Sequence, residues 1–364
     1  MTRENAELPL KIIPSNSPWL IYALGGGWGH LMRSLALGRM AAIARPIIVV
    51  CNSPYIADIL IYAADDEALP IVLGCYIYTI PATASSEQTA NRILEAIATQ
   101  DYECLIVDTF PKGLGGELAD ILPQMQGITK ILVHRDISPD YVRAKNLEPF
   151  ATENFDLILV PGETDEIPLA HLPQVKHTSP WLVRSWDELP TRSAARQLLG
   201  LDPAESKKIV LVLAAGRAEE LWFYGQLIQA IAGSLDVVAR CLSAERPPDC
   251  PPELWSFHWP GIECLPGVDV AVGGAGYNTF YECLAVGIPL VAFAFPRQYD
   301  RQEIRVRRLL RQQRSSQVRL VDTLEGAVEA VSELLLLPQT RGSAVNGAKM
   351  AVRAIEQALK KTEF

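Results

Sequence analysis

Between Val270 and Glu303 the chain gathers residue types that together could hold a phosphorylated, hydroxyl-rich ligand. An apolar run, Val270-Ala271-Val272, stops at Gly273-Gly274-Ala275-Gly276, and a helical pattern restarts at Tyr277-Asn278-Thr279. Glycines let backbone approach a ligand closely, and the N–H groups that open a helix lack intrahelical acceptors, so Tyr277 to Thr279 form a ready anion site. A phosphate is the expected guest. Glu282 lies six residues beyond Gly276, where a carboxylate can accept two hydrogen bonds from a ribose diol. Past Gly287-Ile288-Pro289 and a second apolar run, Asp300 and Gln302 could reach hydroxyls beyond the phosphates. Taken singly, Glu282 reads better as a solvated helix charge, and Asp300 as a cap of the arginine-rich helix after it. Their joint placement at the ends of adjacent strands favours a ligand, and a nucleotide-sugar suits it.

A second set lies near the N-terminus. Trp19 to Leu24 is an apolar strand running into Gly25-Gly26-Gly27-Trp28-Gly29-His30, then a helix carrying Leu31, Leu35, Met40 and Ile43 inward. Backbone groups of Gly26, Gly27 and Gly29 make another cradle, for a phosphate or an acceptor. The dinucleotide pattern GxGxxG fails by one place because position 30 is His, so a dinucleotide cofactor is disfavoured. A lone histidine is commonly a helix cap or a packing residue, but His30 sits at the mouth of a glycine loop, where open α/β sheets bind ligands. Cys104 to Val107 is a buried strand ending at Asp108, which either faces the same crevice, caps the helix near Gly113, or opens an Asx turn. The theme recurs where Lys208 to Leu213 meets Ala214-Ala215-Gly216-Arg217. Arg217 is either a surface arginine or a cation for a leaving nucleotide.

Such loops need a scaffold of strands and helices in alternation. Further strands are expected at Pro46 to Asn52, Leu69 to Leu73, Ile128 to His134, Phe155 to Val160 and Leu235 to Cys241. Helices are expected at Pro54 to Ala64, Ser85 to Thr99, Glu219 to Ala232, Thr323 to Leu336 and Ser343 to Lys361, with Gly74 to Thr83 irregular. Trp255 to Trp259 and Gly261 to Leu265 read as short extended pieces. This alternation marks doubly wound parallel sheets. The proline-rich, polar segment from Thr178 to Pro190 breaks the rhythm and reads as a linker.

Composition narrows the class. At 364 residues two domains are the default, and 49% hydrophobic with 21% charged residues is globular. A formal charge of −9 argues against a nucleic-acid partner. The seven cysteines include no CxxC pair and read as buried reduced thiols. No His, Cys, Asp and Glu spacing reads as a metal site. Residues 1–18 read as a loose polar arm rather than a secretory signal, and no stretch approaches the roughly 20 apolar residues that span a bilayer. The expectation is a cytoplasmic protein. Arg305, Arg307, Arg308, Arg311 and Arg314, interleaved with Val306, Leu309 and Leu310, leave two readings open: a solvated face, or peripheral contact with anionic lipid at the inner membrane face.

Gly276, Thr279, Glu282, Gly287, Pro289, Asp300, Arg301 and Gln302 resemble, in order and spacing, the donor-binding segment of GT-B glycosyltransferases. The likeness is to the branch of the peptidoglycan-precursor N-acetylglucosaminyltransferase and its UDP-glycosyltransferase relatives, and the Gly25–His30 loop resembles that branch's first glycine loop. The resemblance implies an α/β protein of GT-B fold, with two Rossmann-like domains facing a cleft. Residues 1–178 would take the acceptor, 179–190 link, and 191–342 hold the donor, while the last helix, within 343–364, crosses back to the first domain. It implies an inverting, metal-independent hexosyltransferase that moves sugar from a UDP-sugar to an unidentified small-molecule or lipid hydroxyl. The nucleotide-sugar is then a substrate, and no cofactor is expected. By the same resemblance His30 is the general base and Asp108 its orienting partner. Gly216 and Arg217 approach the diphosphate, backbone near Ile262 reads the base, and Asp300, Gln302 and the following residue face the sugar. That following residue is Glu303 where the family has a second glutamine, which implies a plain hexose donor in place of an N-acetylated one. A nucleotide-sugar epimerase of the same fold would not need the His30–Asp108 pair. A nonenzymatic nucleotide-sugar-binding subunit is the third reading.

Overall fold

Strand-length apolar runs separated by glycine turns and amphipathic helices build two sheets in the computed structural model, which describes residues 17–63, 69–99, 101–164, 166–311, 316–338, 342 and 345–362. The chain divides into two compact units: residues 1–135, 142–178 and 348–364 form one, and 136–141 with 179–347 the other.

The first unit holds β1 (Trp19–Ala23), β2 (Ile47–Cys51), β3 (Ile71–Val72), β4 (Cys75–Thr79), β5 (Cys104–Asp108), β6 (Thr129–Val133), β7 (Leu157–Pro161) and β8 (Val175–Thr178). Their spatial order is β3-β4-β2-β1-β5-β6-β7-β8, parallel except for the β3–β4 pair. Every residue of β1, β2 and β5 is buried, as a strand covered on both faces requires. Helices α1 (Trp28–Ala41), α2 (Ile56–Leu60) and α3 (Ser86–Thr99) follow β1, β2 and β4. Further along are α4 (Pro139–Ala144), whose residues 139–141 count with the second unit, and α5 (Leu147–Asn154). Gly74 to Thr83 is not irregular: Cys75-Tyr76-Ile77-Tyr78-Thr79 forms β4, because aromatic and β-branched residues with Cys75 and Ile77 inward suit an extended strand beside β2.

The second unit holds β9 (Ile209–Leu213), β10 (Val238–Leu242), β11 (Trp255–Ser256), β12 (Val270–Gly274), β13 (Leu290–Phe293) and β14 (Val318–Val321), ordered β11-β10-β9-β12-β13-β14 and all parallel. The helices are α6 (Arg192–Leu198), α7 (Ala218–Ser234), α8 (Tyr277–Val286), α9 (Gln302–Arg311) and α10 (Leu324–Leu334). Val210, Val212, Tyr224, Ile228, Val272, Val291 and Val331 share one core where α7 and α10 cover the sheet. Helix α8 ends at Gly287, whose φ of 79° suits glycine, and the Ile288 N–H returns to the Cys283 carbonyl.

Three sequence expectations change. Residues 261–267 form a 3₁₀ helix rather than an extended piece, packed on α6 where Gly267 lets backbones approach. Trp181, Leu182 and Val183, within the expected linker, are buried in the second unit because their apolar surface outweighs the surrounding prolines. Residues 136–141, assigned by sequence to the first domain, belong with the second unit, where Ile137 bridges Asp300 and the Ser138 N–H meets the Tyr299 carbonyl. The final helix, α11 (Ala348–Thr362), packs on α1, β6, β7 and β8 of the first unit. All seven cysteines are buried and free. Among the described residues no helix is long and apolar enough to cross a membrane. The expected arm over 1–16, Ala64, Arg314 and residues 343 and 344 lie outside the described residues.

Candidate active site

Each sheet reverses its strand order near the middle, between β1 and β5 and between β9 and β12. Loops leaving the carboxyl ends of two such strands diverge and leave a crevice, the usual ligand position in open α/β sheets. In the first unit His30, in the first turn of α1, and Asp108, the last residue of β5, stand at these strand ends; in the second, Gly216-Arg217 and Gly274 to Gly276 do.

Asp108 ends β5 with its side chain fully buried, and its Oδ2 lies 2.6 Å from His30 Nδ1. An ionised carboxylate only accepts, so Nδ1 carries the proton, and Nε2 has no protein partner among the described residues. Burial depresses His30 below its ordinary pKa; Asp108 pulls it back up, while Arg33 and Arg135 push it down. Burial alone would raise the Asp108 carboxyl, but Arg33 and then His30 outweigh that and hold it well below the usual range. A methyl group on Gly25 would overlap the His30 ring, so the glycine makes room for the imidazole. At Gly26 and Gly27, by contrast, a Cβ would meet open space, and at Gly29 it would meet only Arg135 Nη1 at 3.8 Å. Core packing therefore does not demand glycine at these three positions. Phe110 stacks on His30 with centroids 5.5 Å apart, and Trp28 stacks on Tyr55 at 5.0 Å. Among the described residues the Asp108 side chain thus makes neither the helix-cap nor the Asx-turn contact that competed for it in the sequence.

In the second unit Gly276 is the N-cap of α8, with no side chain capping the helix and no acid in its first turn. The amides opening at Tyr277, Asn278 and Thr279 keep their anion-binding potential. Tyr277 itself is a packing residue: its ring is buried against Tyr281, and its hydroxyl accepts from the Trp181 N–H. Asn278 and Thr279 are partly buried, and Gly274 lies beside Phe295 and the Tyr224 hydroxyl. Glu282 is partly buried with no hydrogen bond or ion pair to its carboxylate among the described residues, and burial pushes it up to about 7. Gln302 is 6% exposed, its Oε1 has no partner among the described residues, and its amide lies against the Gly276 turn.

The remaining expected site residues differ in their surroundings. Asp300 Oδ1 accepts from Arg305 Nη2 at 2.6 Å, while Arg305 Nη1 donates to the Ala275 carbonyl at 3.1 Å, tying the two loops together. Glu303 is exposed on α9, its carboxylate paired with Arg307 at 2.7 Å one turn along, because helical spacing points both outward. Ile262 is buried within the 3₁₀ helix. Gly216, with φ of 140°, sits where a Cβ would strike the Glu220 carboxylate, and Arg217 is exposed at the N-cap of α7. The arginine-rich helix is not a simple basic face, since Arg305 and Arg308 are buried. Arg308 Nη1 and Arg301 Nε lie 2.7 and 2.8 Å from the buried Asp136 carboxylate.

Sequence reading missed Arg33, whose Nε and Nη2 lie 2.8 and 2.6 Å from the two Asp108 oxygens. Its signal was its place three residues after His30, one turn along the same helix face. It also missed the Glu220–Arg297 pair, with Nη2 2.6 Å from Oε2, because no local spacing links positions 77 residues apart. Among the described residues no three His, Cys, Asp or Glu side chains gather as a metal site.

No family model matches the sequence, and no curated protein matches it. Solved structures match along nearly the whole chain. The glycotransferase of kitacinnamycin is 17% identical, with 95% of this chain and 100% of that one covered and a TM-score of 0.59. The spinosyn rhamnosyltransferase SpnG, solved with thymidine diphosphate, is 13% identical over 95% of this chain and 96% of its own, with a TM-score of 0.57. The UDP-GlcNAc 2-epimerase of Methanocaldococcus jannaschii is 10% identical over 93% and 99%, at 0.54. The chain therefore has the GT-B fold, built of two Rossmann-like units, that these proteins share.

Proposed function

We propose that this protein is a glycosyltransferase that moves a hexose from a nucleoside diphosphate sugar, UDP-linked, to a hydroxyl of a small-molecule or lipid acceptor. The observation that carries this reading is the 2.6 Å contact of His30 Nδ1 with Asp108, which leaves Nε2 without a partner among the described residues at the switch point of the first sheet. In that arrangement Nε2 takes the acceptor proton as the hydroxyl oxygen attacks the anomeric carbon, and the bond to the diphosphate breaks with inversion. Charge growing on the departing diphosphate is met by the amides opening α8 and by Arg217. Glu282 accepts from the ribose, and Gln302 offers its amide beside the phosphate turn. The nucleotide half of the reading is supported by SpnG, which was solved with thymidine diphosphate, so UDP- and TDP-sugars are compared in its test.

The test offers both sugar series to lipid and metabolite extracts and follows products by mass spectrometry. A glycosylated product that His30→Ala lowers by about 10²–10⁴-fold supports the reading. Interconversion of the nucleotide-sugar without any acceptor product would favour epimerisation, and binding without turnover would favour a nonenzymatic subunit.

A further inference from the structure

We propose that Arg33 is a positioning residue for His30: by gripping both oxygens of Asp108 it fixes the carboxylate as an acceptor and balances its charge, holding the imidazole in one tautomer without converting it to imidazolium. This rests on the reading of His30 as the base, but its structural content does not depend on transfer being observed. Four polar contacts meet at one buried carboxylate. Asp108 Oδ2 receives His30 Nδ1 at 2.6 Å, Arg33 Nη2 at 2.6 Å and the Thr109 hydroxyl at 3.2 Å, while Oδ1 receives Arg33 Nε at 2.8 Å. Arg33 Nη2 also reaches Thr109 Oγ1 at 3.1 Å. Arg33, Asp108 and Thr109 are each at most 2% exposed, so this geometry is not loosened by water.

A fork-to-fork arginine–carboxylate pair fixes orientation as well as charge, which a lysine could not reproduce. In a bare histidine–carboxylate pair the negative charge stabilises the imidazolium, and such an imidazole begins to lose its capacity to accept a proton near neutral pH. Here the charged groups facing His30 are Asp108 from β5, Arg33 from α1 itself and Arg135 following β6. Burial disfavours the charged ring first, and Arg33 and Arg135 add to that against the pull of Asp108. The imidazole therefore stays neutral, with the Nδ1 proton directed at Asp108 and Nε2 able to accept. Arg33 reaches this arrangement from the same helix as His30, so α1 sets both the base and the group that tunes it.

The test is ¹⁵N nuclear magnetic resonance of the histidine rings in the full chain, with His30→Gln to assign the signal, across pH 5 to 8.5. Wild type is expected to show a neutral His30, protonated on Nδ1, down to below about pH 6.5. Arg33→Met should raise its titration midpoint, increasing proton affinity by about tenfold or more. Arg33→Lys should keep the midpoint low while the tautomer becomes mixed, because the charge remains and the fork is lost. A wild-type midpoint above 6.5, or a midpoint and tautomer unmoved in both variants, overturns the proposal, and the wild-type measurement stands even if Arg33→Met fails to fold. If the ring responds as expected but His30→Ala transfers sugar at the wild-type rate, the assignment of the base is wrong and the role of Arg33 toward the imidazole stands.

Discussion

Replacing Glu282 by Gln should make the unliganded protein more stable at alkaline pH while weakening its grip on the nucleotide. Glu282 stands on α8 with no partner among the described residues for its carboxylate, and burial lifts it from 4.5 to about 7. The unfolded chain gives up this proton from about pH 4.5 and the folded chain only near 7, so between these values the unfolded state binds fewer protons. Stability associated with the neutral acid is thus complete below about 4.5 and lost as pH rises through 7. The displacement corresponds to at most about 3 kcal/mol in total, of which roughly 1–1.5 kcal/mol disappears between pH 6 and 8.5. Glutamine does not titrate, so urea denaturation of wild type should fall by that amount relative to Glu282→Gln over this interval, other groups cancelling in the comparison. Binding should move the other way. The ionised carboxylate can accept from both ribose hydroxyls, whereas the amide offers one acceptor, and loss of a charged hydrogen bond costs about 1.5–3 kcal/mol, ten- to a hundredfold in Kd. Calorimetry with UDP-glucose suits this, because its diphosphate diester has no ionisation near pH 7, and wild-type affinity should rise from pH 6 to 8 as Glu282 ionises. Parallel stability profiles together with equal affinities would refute the reasoning and leave Glu282 an ordinary solvated charge.

Gly25→Ala should leave nucleotide affinity intact and lower transfer by about 10²-fold, since a methyl group there displaces the His30 ring; steady-state kinetics beside calorimetry checks it, and unchanged turnover counts against His30 as the base. Asp136→Asn removes the buried carboxylate that Arg301 and Arg308 share, and should cost about 3–5 kcal/mol in denaturant unfolding. Glu303→Gln breaks only an exposed pair with Arg307, so stability should change by less than about 1 kcal/mol and the donor ranking in competition assays should stay as it was. A changed ranking would restore Glu303 to the sugar site. Arg217→Ala should slow transfer more than it weakens binding of the intact nucleotide-sugar, because its charge meets the diphosphate as it leaves; a rise in KM alone would contradict that role.

Local pattern and tertiary structure contributed different things. Glycine turns at Gly25–Gly29 and Gly273–Gly276, each between an apolar run and a helix, were legible because turn chemistry and periodicity act over a few residues. So was the two-sheet, alternating architecture. Strand β4 escaped because an alternating five-residue run flanked by Gly74 and Pro81 looks like loop until a neighbouring strand supplies its hydrogen bonds.

Which way the charges face was settled only by packing. The sequence offered Glu282, Asp300 and Glu303 as candidate ligand-facing carboxylates, and the fold gave them three different surroundings: a partly buried group with no partner among the described residues, a group held by Arg305, and a surface ion pair. It offered five arginines on one helix as a basic face, yet Arg305 and Arg308 turn inward to a carbonyl and to Asp136, more than a hundred residues earlier in the chain. Asp108 could cap, turn or orient by sequence alone; the order β1-β5 brought it to His30 and Arg33. Residue types and short spacings determined where backbone could turn and bind, because those preferences are local. The ionisation and aim of each side chain depended on groups distant in sequence, because burial and Coulomb interactions are set by distance in space.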